Sequence, residues 1–129
     1  MAVAKTSLSA GEIIRAILIE DAEVTKRTKK IFPVNTDKAE LPYIIYRRAG
    51  LVQAQQKTRL PYDEVRIEMI CCTAKYGDGV ELAEAVRGAL EGRKYTHKGL
   101  TMSSCYLADS EESNSDDAFL QTLVFNVKI

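Results

Sequence analysis

Histidine is nearly absent and cysteine is scarce: His97 stands alone, and Cys71, Cys72 and Cys105 are the only thiols in 129 residues. That scarcity removes much of the usual chemistry. A zinc site takes a full set of N, S or O ligands at short paired spacings, and one His with an adjacent Cys pair does not supply them. An odd cysteine count with two neighbours is no disulfide framework. Adjacent strand residues point to opposite faces, so Cys71 and Cys72 do not bridge each other. The phosphate-binding patterns G-x-x-x-x-G-K-[ST] and G-x-G-x-x-G are missing, and Tyr76-Gly77-Asp78-Gly79 reads as a turn and cap before a helix. No apolar run reaches the ~18 residues of a membrane span, and the N-terminus has no apolar core of signal-peptide type. Free cysteines within apolar stretches suit a reducing compartment, so synthesis and assembly are expected in a cytoplasm.

What is present fits one soluble globular domain. The apolar fraction is 46% and the charged fraction 28%, and a chain of this length buries a core without metal or disulfide support. Formal net charge is zero, which argues against a general polyanion binder. The zero conceals an asymmetry: residues 1–60 carry 11 Lys/Arg and 6 Asp/Glu, and residues 61–129 carry 7 and 12. Lys26, Arg27, Lys29 and Lys30 form the basic cluster; Asp109, Glu111, Glu112, Asp116 and Asp117 form the acidic one. Opposite poles would attract their counterparts on a neighbouring copy, while the plainer reading of both clusters is a solvated loop.

Along the chain, residues 1–8 form a polar lead, read as flexible. Ser9 and Glu12 have the spacing of a capping box before the stripe Ile13, Ile14, Ile17, Leu18, which predicts a helix over 10–21. Ile31-Phe32-Pro33 predicts an edge strand, because Pro33 cannot donate to a ladder. A strand follows Leu41-Pro42 to about residue 49, with apolar residues on both faces. The stretch 50–60 is read as a polar connection. Val65, Ile67, Met69 and Cys71 alternate with Glu64, Arg66 and Glu68, predicting a strand over 62–74 that pairs antiparallel with the one before. A second helix carries Val80, Leu82, Ala83, Val86, Ala89 and Leu90 on one stripe and ends at Gly92. Residues 93–99 are read as a polar link, 100–107 as a strand, 109–117 as an acidic loop, and 119–129 as the last strand. The expected class is α+β, a mostly antiparallel sheet of four to five strands with two helices on one face, ordered α-β-β-β-α-β-β.

No catalytic centre follows. Cys71 and Cys105 fall on apolar strand positions, where a thiol is an inert core residue rather than a nucleophile. His97 lies in a Lys-rich link. The acidic stretch lacks the calcium-loop pattern, and the basic cluster has no interleaved aromatic residues of a nucleic-acid surface. No metal or cofactor is expected. The residues that stand out are Gln53, Gln55, Gln56, Lys57 and Arg59, whose amides both donate and accept, with the basic and acidic clusters; all are candidates for a subunit interface.

Taken in order, the pieces resemble the tail completion or tail terminator family of tailed phages and prophages. They are the helix Glu12 to Ile19, Ile31-Phe32-Pro33, Leu41-Pro42-Tyr43-Ile44-Ile45-Tyr46, Val65-Arg66-Ile67-Glu68-Met69, the helix Leu82 to Leu90, and the strand Phe119 to Val127. The resemblance spans residues 9–129 as one domain. It implies a non-enzymatic virion protein that forms a homo-oligomeric ring, usually a hexamer, at the head-proximal end of the tail tube. There it would stop tube polymerisation and join the tail to the head connector. Its implied partners are itself, the tube protein and the connector, with DNA contacted at most non-specifically in the lumen and no membrane. The alternatives are a head–tail connector or tube subunit, or, in another class, a small-molecule-binding or enzymatic α+β domain.

Overall fold

The computed structural model describes residues 3–34, 40–54 and 62–129. A single 3-10 turn, Ser7–Ser9, leads into α1 (Ala10–Glu20) and the short α2 (Ala22–Thr25). Then come β1 (Ile31–Pro33), β2 (Tyr43–Ala54), β3 (Tyr62–Thr73), α3 (Tyr76–Leu90), β4 (Tyr95–His97), β5 (Leu100–Met102), β6 (Ser104–Ser115) and β7 (Ala118–Lys128). Five strands form one sheet in the order β1-β2-β3-β7-β6, and β4 and β5 form a separate hairpin. All neighbours in the large sheet are antiparallel except β1 and β2. The class is the expected α+β; a short helix and a small hairpin are added to the expected order.

The alternation in β3 decides which face is covered. Val65, Ile67, Met69 and Cys71 are buried, and their row partners Phe125 and Leu123 on β7 and Ile44 and Tyr46 on β2 are buried with them. Against that face lie the stripes of α1 (Ile13, Ile14, Ile17, Leu18) and α3 (Leu82, Val86, Leu90). A helix with apolar residues at this spacing gains only by laying them on such a surface. Glycine permits close contact at two points. A Cβ on Gly11 would stand 3.2 Å from the Tyr46 ring, and one on Gly79 would stand 2.8 Å from Thr73 Oγ1. Among the described residues no helix covers the second face of the sheet.

Several sequence expectations are corrected. The stretch 50–60 is not wholly a connection: β2 continues to Ala54, with a register shift between Arg48 and Gly50. The acidic stretch 109–117 is not a loop. Asp109 to Ser115 continue β6, paired residue by residue with β7 after a shift at Leu107/Asp109, and only Asp116 and Asp117 turn. Residues 93–99 are not a link, since Tyr95–His97 is a strand, and the strand expected over 100–107 is broken at Ser103. Lys98 and Gly99 both have positive φ (50° and 83°), as a two-residue hairpin with the right twist requires. Asp78 is not the N-cap of α3; Lys75 is, and Asp78 sits in the first turn. Ser9 makes no side-chain cap bond, because the preceding 3-10 turn is capped by Thr6 and Glu12 pairs with Lys5 at 2.8 Å. Gly92 does close α3 with φ 71°.

Candidate assembly interface

The sheet ends in two different edges. On one side β1 covers only three residues of β2, from Ile44 to Tyr46; beyond Tyr46, β2 has no partner strand on that side among the described residues. Of the basic cluster, Lys29 and Lys30 lead directly into β1, while Arg27 lies against α3, near Asp78, Glu81 and Glu84. Asp21 caps α2 by accepting from the amides of Glu23 and Val24 at 3.0 and 3.1 Å, which turns the chain so that Lys26 to Lys30 lead into the edge. Arg27 and Lys26 reach Glu23 at 3.0 and 3.6 Å, and the Arg27 hydrogen bond is the main cause that holds the Glu23 carboxyl below its ordinary value. Lys30 donates to the Glu40 carbonyl at 3.1 Å. Lys29 is exposed and enters no ion pair among the described residues. Arg47 and Arg48, whose strand pattern alone does not mark them as edge residues, lie on the same edge: Arg47 bonds Glu68 at 3.1 Å, and Arg48 donates to the Leu8 carbonyl at 3.0 Å.

The opposite edge is β6, and its far half is acidic. Asp109, Glu111, Glu112, Asp116 and Asp117 are all exposed, and none makes an ion pair among the described residues. Glu112 is anchored instead by neutral donors. Its Oε2 accepts from Gln121 Nε2 and from the Tyr76 hydroxyl, each at 2.9 Å. These bonds hold its carboxyl below the ordinary value, Gln121 contributing most. The partner residues lie on β7 and at the start of α3, so the acidic arm is fixed to the body rather than loose. At its root, Glu91 accepts from the Leu107 amide at 2.8 Å.

Of the other candidates, Gln53 is exposed near the end of β2. Gln55, Gln56, Lys57 and Arg59 lie outside the described residues. The structure therefore separates the clusters rather than gathering them: Lys29 and Lys30 stand at the β1 edge, Arg27 lies against α3, and the acidic residues line the β6 edge. The uncovered face adds a shallow depression lined by Leu41, Tyr43, Ile45, Ile70, Cys72 and Leu120, with Asp116 and Asp117 at its rim. Its signal in the sequence was the pair of apolar faces on β2.

The chemistry-bearing residues do not converge. His97 lies close enough to Glu12 for its charge to help lower that carboxyl, after the larger effect of Lys5. Cys105 is fully buried beside Glu91, and burial, then that carboxylate, pushes its thiol up to about 12. No group of His, Cys, Asp and Glu placed to hold a metal occurs among the described residues, and no helix among them is long and apolar enough to cross a membrane.

Comparison with known proteins gives a family. A family model described as "Tail completion protein gp17" matches residues 12–129. Among solved structures, a chain from the virion of a native gene transfer agent particle superimposes with a TM-score of 0.80 at 16% identity, covering 95% of this chain and 98% of that one. A second solved chain reaches a TM-score of 0.50 at 14% identity, with 92% and 96% covered. At these identities the likeness is one of fold. No curated protein matches.

Proposed function

The chain belongs to the tail completion family of phage structural proteins, and from that premise we propose that it forms a ring at the head-proximal end of the tail tube, ends tube polymerisation and offers a docking surface to the head connector. The observation that carries this reading is the family match over residues 12–129. The fold is compatible with it. A ring needs a heterologous interface whose rotation closes, and a sheet with one basic and one acidic edge presents two different, complementary surfaces. The likeness to a chain of a gene transfer agent virion supports a place in such a particle. DNA passing through the ring would meet only a non-specific electrostatic surface.

The test is the tail made without this protein. Particles produced from a genome lacking the gene are expected to show overlong tubes or tubes of normal width that fail to join heads, in negative-stain micrographs. Tails of normal length that join heads would overturn the proposal. Tails absent altogether would make the chain a tube subunit instead.

A further inference from the structure

We infer that neighbouring copies of this chain join edge to edge, the acidic β6 of one copy lying antiparallel against the basic β1–β2 edge of the next. The inference rests on the ring reading and adds the contact that closes the ring. Both edges are open. β6 pairs only with β7, and β2 beyond Tyr46 pairs only with β3, among the described strands. Free backbone N–H and C=O groups on an edge are a template for a strand from another chain, and their hydrogen bonds hold an added strand whatever its side chains.

Charge then selects the partner and the register. Residues that face one another across the sheet form rows. Asp109 faces Val124, Val124 faces Glu68, and Glu68 faces Arg47. By the same tracing Glu111 shares a row with Ile45 and Phe32, and Glu112 with Ile44 and Ile31, one residue past Lys30. The acidic residues 109–112 of β6 are thus level with Arg47 and β1 on the far edge of the same sheet, next to Lys30. A second copy set alongside without sliding brings Asp109 level with Arg47, and Glu111 level with Phe32, two residues and therefore one same-face step from Lys30. Lys30, Asp109 and Glu111 are exposed and make no ion pair among the described residues.

Strand direction agrees. β6 is antiparallel to β7, β7 to β3 and β3 to β2, while β1 is parallel to β2. Within one copy, then, β6 runs opposite to β1 and β2. Rotation about an axis along the strands preserves direction, so β6 meets the next copy's edge as an antiparallel partner, the more stable pairing. The two surfaces differ, so repetition by a fixed rotation closes a ring.

The experiment uses the full chain, purified and in assembled tails. Ser113 traces across the sheet to Tyr43, which is level with Lys30. A chain carrying both Ser113→Cys and Lys30→Cys is expected to oxidise into a ladder of covalent multimers that stops at one closed size. The three native thiols are buried and do not compete. Separately, Glu111→Lys or Lys30→Glu alone is expected to weaken assembly at least about tenfold, as like charges meet. The two together in one chain restore it, because each edge again faces its opposite. Circular dichroism should show all variants folded, since the substituted side chains are exposed. Rings that form with neither a ladder nor any loss on charge reversal would overturn the edge contact and leave the ring reading standing. No ring in solution or on tails would overturn both.

Discussion

At Cys71 the thiol has no exposed surface, and burial pushes its pKa far above that of a free cysteine. Cys105 is raised to about 12, chiefly by burial. Cys72 is raised by burial too, against a smaller lowering from its hydrogen bond to Tyr43. Because the thiolate is the reactive form, all three should resist alkylation in the folded chain at pH 8. Intact mass after iodoacetamide should show no adduct on the native protein and three after unfolding; one rapid adduct on the native chain would contradict this. The position of Cys71 was legible, since strict alternation in β3 placed it on the core face. The state of Glu112 was not. Its donors Tyr76 and Gln121 are 36 and 9 residues away, and nothing in the local sequence links them.

Among the elements, those with one face on the core could be read and those without could not. α3 and β3 declare themselves by period, and Gly92 marks the end of α3. The acidic half of β6 has no apolar alternation, because it hangs at the sheet edge with solvent on its faces; its pairing is carried by backbone bonds to β7, which leave no trace in side-chain pattern. The β4–β5 hairpin does carry a signal, Lys98-Gly99 between Thr-containing flanks, although its polar composition reads equally as a link. The seating of α3 gives a prediction at this scale. Gly79→Ala would put a methyl group 2.8 Å from Thr73 Oγ1, and that oxygen is held by its own bond to the Lys75 carbonyl at 2.8 Å. Such overpacking should cost about 1–3 kcal/mol. Gly88, in the same helix, has nothing within 4 Å of a Cβ, so Gly88→Ala should gain about 0.5–1 kcal/mol from helix propensity alone. Thermal melting of the two variants should therefore shift in opposite directions. Shifts of the same sign would mean that the close contact of α3 with Thr73 does not constrain it.

For the whole molecule, the charge asymmetry of the sequence becomes a geometric one because of the strand order. The first half of the chain supplies β1 and β2, and the second half supplies β7 and β6, so a difference between halves becomes a difference between edges. Core packing is independent of it: the buried cluster is apolar, and its exposed ion pairs are of the kind that contributes little to stability. Salt should separate the two. Raising NaCl to about 1 M shortens the Debye length to about 3 Å, which screens attraction between edges while leaving apolar burial intact. Mass measured by sedimentation should fall as salt rises, with the melting temperature nearly unchanged. If mass rises with salt instead, association runs through apolar surface. The depression around Tyr43, Ile45, Ile70 and Leu120, rather than the charged edges, would then be where copies meet. Tyr43→Ser would abolish that association and spare an edge-joined ring, so the two measurements together assign the contact to one surface or the other.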